Sequence, residues 1–311
     1  EPFLAHDSGV GDQERILVFG TPKNFERLST AKAWFMDGTF KVTPSLFYQV
    51  YTVHGLYHGA VIPLAYALLP NKQEVTYRRL FSVLSSLLSS VAVEAIYCDF
   101  EAAVITTCSR IFPQAKIQGC FFHLCQSVYR RLCKLGFQAR YGNDEEFAMR
   151  MLPALAFLPP AEVPDAFDGL LEVFPTEATD LAMYFEDTYI GRRRRNGVQA
   201  AMFSTSLWSV HDAVLQNLPR TNNSVEAWHR GFQSNVDCCL PNLWAFFKCL
   251  KDEQALQELK MAQLDVGQQP PRLARKYREV NERISRILED HTSSSAVDTL
   301  RNIARNIRFS V

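Results

Sequence analysis

The sequence predicts a mixed α/β fold, in which a sheet of antiparallel and parallel strands carries helices on its faces. Three segments rich in aromatic and β-branched residues, 33–40, 46–53 and 59–69, follow one another with only short links. This arrangement is typical of an antiparallel meander. Helical and strand-like segments then alternate over 73–140, which favours a mixed sheet with helices on its faces. A chain of 311 residues with 47% apolar and 21% charged residues has the composition of an ordinary globular protein.

Each element after the meander has its own signal. Apolar residues return every three or four positions over 73–89, which predicts a helix. The next elements are a strand over 94–98, a helix over 101–111, a strand over 115–122 and a helix over 124–140. After residue 141 the strand pattern stops, and prolines divide the chain into short helical stretches. Helices over 223–235 and 242–264 follow.

These signals divide the chain into five segments. They are a lead-in over 1–30, the first part of the sheet core over 31–140, a helical insertion over 141–220, the last core helices over 221–265 and a basic helical tail over 266–311. The net charge is zero, yet 141–190 holds eleven acidic residues and one basic, and 191–311 holds eighteen basic and twelve acidic. This asymmetry predicts separate roles for the middle and the end of the chain.

Cysteine usage and hydropathy indicate the compartment. The eight cysteines show no C-x-x-C spacing, and in a chain of this length they are expected to be reduced thiols of a cytosolic or nuclear protein. The first thirty residues contain no apolar run of the signal-peptide type, and no stretch reaches the ~18–20 apolar residues of a membrane helix. We therefore expect no membrane partner.

Three carboxylates stand at positions where a sheet could collect them. Asp37 lies within an apolar strand, Asp99 ends the fourth strand, and Glu226 lies on a later helix. Each has a structural alternative: Asp37 with Gly38 is a common turn pair, Asp99 could cap the next helix, and Glu226 could form a capping box with Asn223.

The chemistry that needs such a set is in-line phosphoryl transfer. Two divalent ions about 3.5–4 Å apart activate a water or a 3′-hydroxyl and stabilise the leaving oxygen. Mg²⁺ takes oxygen ligands, of which one or two are protein carboxylates. The arrangement of Asp37, Asp99 and Glu226 fits such a site.

Four segments together resemble the catalytic domain of Mutator-like element (MULE) transposases. They are MDGTFK (36–41), YCDFE (97–101), FPQAKIQGCFFHL (112–124) and TNNSVEAWH (221–229). The resemblance implies an RNase H-like fold: a five-stranded mixed sheet flanked by helices, with an all-helical insertion before the last catalytic helix. It also implies that Asp37, Asp99 and Glu226 are catalytic residues and the ligands of two Mg²⁺ or Mn²⁺ ions. A C-x-x-H element at Cys120 and His123 is implied as well, with a supporting role near the carboxylates. The alternative for this pair is a satisfied core histidine beside a buried cysteine.

Basic residues are the candidate DNA contacts, because a basic side chain that neutralises a phosphate makes binding depend on salt. One group follows the C-x-x-H element on its helix, and another lies in a predicted exposed loop, which could also be a nuclear-import signal or simply a solvated loop. Together with His229, which follows Glu226, the candidates are Arg130, Arg131, Lys134, Arg192, Arg193, Arg194 and Arg195.

The resemblance implies a nuclear transposase that hydrolyses transposon ends and joins their 3′-hydroxyls to target DNA, working as a homo-oligomer. One alternative is a transposon-derived, domesticated DNA-binding or chromatin-associated protein without transposition activity. Another is an interaction protein whose carboxylates only form caps and turns. The zinc-binding recognition module and the Cys/His knuckle that such transposases usually carry are not visible in this sequence.

Overall fold

The computed structural model describes residues 3–138, 147–194, 197–216, 220–236, 241–270, 275–290 and 295–307. The chain forms two compact units. The first comprises Glu1–Ile117 and Asn222–Arg272, and the second comprises Gln118–Thr221 and Leu273–Val311.

The first unit is built on a mixed sheet in the order β1-β2-β5-β4-β3-β6-β7. Its strands are β1 (Leu4–Asp7), β2 (Leu17–Phe19), β3 (Ala33–Thr39), β4 (Gln49–Tyr57), β5 (Ala60–Leu69), β6 (Ala95–Cys98) and β7 (Lys116–Gly119). The pairs β3–β4 and β4–β5 are antiparallel, and β6 runs parallel to β3. The predicted meander and the change to parallel pairing are therefore confirmed.

The sheet has seven strands in the described part of the chain, so the prediction of five was wrong. The two additional strands come from the segment that was predicted to be a loose lead-in. Strand β2 pairs with β1 and β5, and all three of its residues are buried. Three or four residues are too few for a periodic pattern to stand out, so the sequence offered no strand signal there.

Helices cover both faces of this sheet. They are α1 (Pro22–Thr30), α2 (Glu74–Leu87), α3 (Ala102–Ile111), α10 (Asn223–Val236) and α11 (Leu243–Asp265). Side chains alternate along β3: Trp34 and Met36 join the core formed with α1, α2 and α3. Phe35 packs with Val225 of α10 on the opposite face. Asp37, two residues beyond Phe35, therefore lies on the α10 face.

Helices make up most of the described second unit. They are α4 (Phe121–Lys134), α5 (Ala148–Ala154), α6 (Val163–Leu171), α7 (Thr179–Phe185), α8 (Thr205–Trp208), α9 (His211–Leu215), α12 (Arg275–Glu289) and α13 (Ala296–Asn306). Its core includes Trp208, whose indole N–H donates to the Tyr189 carbonyl at 2.9 Å. The Gln118 amide donates to the carbonyls of Leu207 and Ser209 at 3.0 and 2.7 Å.

The predicted insertion is not all-helical. Strands β8 (Arg192–Arg194) and β9 (Gly197–Gln199) form an antiparallel hairpin where an exposed loop was predicted. Gly191 precedes the hairpin with a φ of 90°, a conformation that glycine adopts without strain. A strand of three arginines carries no apolar alternation, so its sequence could not indicate pairing. In the described residues, no helix has both the length and the apolar character to cross a membrane.

Candidate metal site on the α10 face of the sheet

Asp37 is a strand residue and not part of a turn. Strand β3 continues through it to Thr39, with Asp37 opposite Thr52 and Gly38 opposite Tyr51. The Asp37 side chain is buried, with 7% of the residue exposed, and its Oδ1 accepts a 2.8 Å hydrogen bond from the Gly38 N–H. A carboxylate held in this way inside a sheet is costly unless a partner or a cation compensates its charge.

Asp99 follows the last residue of β6 and does not cap a helix. Helix α3 begins at Ala102 with Glu101 at its N-cap, so the capping alternative for Asp99 is wrong. Burial raises the pKa values of Tyr51 and Tyr77, and the charge of Asp99 adds to both shifts. Asp99 therefore lies within electrostatic reach of these two phenols.

Glu226 is the fourth residue of α10, and the capping box with Asn223 does not form in the predicted register, because Asn223 already lies inside the helix. The Glu226 N–H donates to the Asn222 carbonyl at 2.9 Å. The buried Asn222 side-chain amide donates to the Met36 carbonyl at 3.2 Å. This bond joins the start of α10 to the residue before Asp37.

A small apolar cluster lies beneath the predicted carboxylates. Phe35 and Tyr97 are neighbours in the β3–β6 register, and their rings stack with centroids 4.8 Å apart and planes 8° apart. Val225 packs on them from α10. Asp37 and Asp99 each stand two residues beyond an aromatic of this pair, and Glu226 is the residue after Val225. The three carboxylates are therefore carried by three elements that meet in one apolar contact.

Two of the three carboxylates are in reach of a single ion. Oxygens of Asp37 and Glu226 lie within 4.8 Å of each other, and Asp99 does not complete a group of three with them at that distance in the described chain. Two oxygens bound at about 2.1 Å to one Mg²⁺ are at most about 4.2 Å apart. The Asp37–Glu226 pair thus has nearly the separation, and has the hard oxygen donors, that a divalent cation requires.

Sequence reasoning missed two polar residues behind Asp37. Thr52 and His54 are fully buried on β4, and the His54 Nε2 lies 3.1 Å from the Thr52 Oγ1. Part of the signal was present: both are polar residues at alternate positions of a largely apolar strand, so they share one face of β4. The pairing of Thr52 with Asp37 is what places that face on the Asp37 side. His229 was predicted to contact DNA, which stays a prediction. The structure places it at 9% exposure, with Nδ1 3.5 Å from the Asp37 Oδ2.

The other predicted residues lie in the second unit, where they differ in exposure. Cys120 is buried at the N-cap of α4, and His123 is half-buried in its first turn. Arg130 and Lys134 are exposed four residues apart on α4, whereas Arg131 is half-buried and places its guanidinium 5.4 Å from the centre of the Tyr184 ring.

The arginine run is also uneven. Arg192 forms ion pairs with Glu186 and Asp187. The backbones of Arg193 and Arg194 lie in β8, and Arg195 lies outside the described residues.

Residues 33–127 match the family model of the MULE transposase domain. The match begins at the first residue of β3 and ends within α4, so it includes Asp37, Asp99, Cys120 and His123 and stops before Glu226. No curated protein matches the chain. The match supports a MULE transposase domain over these residues, the family that the sequence motifs indicated.

Proposed function

We propose, on the premise that this chain carries a MULE transposase domain, that it is the catalytic part of a DNA transposase. It would hydrolyse the phosphodiester bond at transposon ends and then join the freed 3′-hydroxyl to target DNA. The observation that carries the proposal is the pairing of Asp37 with Glu226 within 4.8 Å on a buried face of the sheet. Two like charges this close repel each other, and a bound cation would relieve that repulsion.

The proposed ligands are Asp37, Asp99 and Glu226, with Mg²⁺ or Mn²⁺ as the ion and two ions in all. Bound divalent ions would supply Lewis-acid stabilisation of the charge that develops on the phosphate oxygens. The protein holds the ligand oxygens in place. Strand β3 carries Asp37, and the hydrogen bond from the Asn222 side chain to the Met36 carbonyl ties the start of α10 to that strand. Asp99 and Glu226 are half-buried, so both carboxylates keep some contact with solvent.

Asp99→Asn tests this proposal without a change in shape. We expect Mn²⁺-dependent nicking of supercoiled plasmid, and strand transfer from short duplexes carrying the repeats that flank the gene, to fall at least about 10²-fold. Asp252→Asn is the matched control, because Asp252 is an exposed carboxylate of α11 in the same unit. Activity that survives Asp99→Asn would remove Asp99 from the site. DNA binding without nicking or strand transfer, in the wild-type protein and in both variants, would favour a domesticated DNA-binding protein.

DNA contact is proposed for exposed basic residues of α4, Arg130 and Lys134, which lie on one helix face. We expect the double change to alanine to lower the slope of log K against log salt by about 2, since each phosphate contact contributes about 0.9. Fluorescence anisotropy with a labelled duplex at several salt concentrations measures this slope. Arg275→Ala with Arg278→Ala, two exposed basic residues of α12, is the control. An unchanged slope would place the DNA elsewhere.

Arg131 is expected to contribute less to DNA binding than its neighbours, since its guanidinium packs on Tyr184. Contacts from His229 and from the arginine run 192–195, a nuclear location and assembly as a homo-oligomer all remain proposals. The homo-oligomer is proposed because both ends of an element must be held together for joining. The other proposals follow from the proposed transposase function.

A further inference from the structure

Asp37 is the first member of a chain of four buried polar side chains. The His229 Nδ1 lies 3.5 Å from the Asp37 Oδ2, and the His229 Nε2 lies 3.3 Å from the Thr52 Oγ1. The Thr52 Oγ1 also lies 3.1 Å from the His54 Nε2. All four residues belong to the first unit, and Thr52 and His54 are fully buried. The chain therefore runs from the carboxylate into the dry interior of the unit.

The position of the ring proton on His54, the innermost of these four side chains, can be assigned. Burial, and then the nearby His229, hold the pKa of His54 well below its ordinary value, so this ring is neutral. The His54 Nδ1 has no hydrogen-bond partner among the described residues. A buried N–H without an acceptor is rarer than a buried acceptor without a donor. The single proton of His54 therefore belongs on Nε2, from which it donates to the Thr52 hydroxyl.

Thr52 then has one proton to give and two candidate acceptors. Its hydroxyl lies 3.3 Å from the Asp37 main-chain carbonyl and 3.3 Å from the His229 Nε2. If Thr52 donates its proton to the carbonyl, its oxygen must accept a proton from the His229 Nε2. A neutral His229 then has no proton on Nδ1, and the Nδ1 lone pair faces the Asp37 carboxylate. If Thr52 donates its proton to the His229 Nε2, the ring proton sits on Nδ1 and faces the carboxylate. The second arrangement gives each of the three side-chain contacts one donor and one acceptor, and it gives up the hydrogen bond from the Thr52 hydroxyl to the Asp37 carbonyl.

Helix α10 presents this histidine on the side where Glu226 stands. Glu226 and His229 are three residues apart, so they lie on one helix face. Trp228 packs edge-on against His54 with centroids 5.5 Å apart, and its indole N–H donates to the Glu253 carboxylate at 2.7 Å. The anchored indole shields one side of these four side chains from solvent. His229 is therefore held in place by its helix, its neighbour and Thr52.

We propose that His229 is a positioning residue for Asp37, whose carboxylate its Nδ1–H holds in one orientation, with Thr52 and His54 fixing the tautomer of its ring. The inference rests on the proposed role of Asp37 as a metal ligand. Partners that orient a metal ligand typically change metal affinity by about 10–100-fold when they are lost. His229 would thus act on metal binding without itself being a ligand.

The tautomer is measured directly in protein labelled with ¹⁵N-histidine, by long-range ¹H–¹⁵N spectra of the metal-free protein at pH 8. We expect the His229 Nδ1 and the His54 Nε2 to carry protons. A His229 ring whose Nδ1 carries no proton would overturn the inference, whatever the enzymatic activity. Because no metal is present, this readout does not depend on the proposed reaction.

Two substitutions separate positioning from packing. His229→Asn keeps an N–H near the place of Nδ1, whereas His229→Phe keeps the ring and removes the donor. By calorimetric titration with Mn²⁺, we expect His229→Phe to raise the Kd at least about 10-fold and His229→Asn to stay within about 3-fold of wild type. Equal losses of Mn²⁺ affinity in both variants would overturn this inference and leave the proposed function standing. Absence of Mn²⁺ binding by the wild-type protein would overturn the proposed function, and this inference with it.

Discussion

Replacing Asp37 by asparagine is expected to abolish the stabilisation of the protein by Mn²⁺ while leaving the metal-free fold intact. An ion that binds only the folded state adds about 2.7 kcal/mol to the free energy of unfolding when its concentration is 100 times its Kd. For a unit of this size the wild-type Tm should rise by roughly 5–10 °C. Asparagine keeps one oxygen for the 2.8 Å bond from the Gly38 N–H but removes the charge that attracts the ion. Scanning calorimetry with and without Mn²⁺ measures both states.

The metal-free variant should be at least as stable as the wild-type protein. Two carboxylate oxygens within 4.8 Å of each other repel by about 3 kcal/mol or more at an effective dielectric constant of about 20, before solvent screening around the half-exposed Glu226 reduces the value. Asp37→Asn removes this repulsion, and nicking should fall at least about 10²-fold. Asp252→Asn, at an exposed position of α11, should change neither the stability of the metal-free protein nor its nicking activity. A large loss of metal-free stability would show that the Asp37 charge serves the fold and not a metal.

The strands that carry the site could be predicted because each is a short, continuous run of apolar and aromatic residues. The segment around Asp37 was predicted as 33–40 and forms β3 (Ala33–Thr39), and that before Asp99 was predicted as 94–98 and forms β6 (Ala95–Cys98). The helix that carries Glu226 was predicted as 223–235 and forms α10 (Asn223–Val236). In each case the local apolar pattern and the structure agree: the two strands are buried on both faces of the sheet, and α10 buries one apolar face.

The surroundings of the site could not be predicted, because they depend on which residues meet across the sheet. Thr52 faces Asp37 only because β4 pairs with β3 in one register, and a shift of one residue would have turned it to the other face. The contact of His229 with Asp37 joins residues 192 positions apart in sequence. A single sequence contains no direct signal for such pairs.

Replacing Phe35 by alanine is expected to produce the largest loss of stability at the site and to weaken metal binding as well. Truncating a buried phenylalanine typically costs about 3–5 kcal/mol. Phe35 is 1% exposed, stacks on Tyr97 at 4.8 Å and contacts Val225 of α10. Its loss would loosen the contact that brings β3, β6 and α10 together. We therefore expect a lower free energy of unfolding and a higher Kd for Mn²⁺, measured by urea denaturation and by calorimetric titration well below the Tm.

Phe81→Ala is the matched control for this prediction, because it separates stability from site geometry. Phe81 is equally buried, but it lies in α2 on the opposite face of the sheet, against Tyr51 and Phe112. Its truncation should cost a similar free energy of unfolding and leave the Mn²⁺ affinity of the folded protein within about 2-fold of wild type, because Phe81 belongs to the core on the face of the sheet opposite Phe35 and Val225. If both variants lose the same affinity, the apolar cluster beneath the carboxylates has no special part in arranging them. If only Phe35→Ala does, the aromatic pair two residues before Asp37 and Asp99 is what sets the distance between the metal ligands.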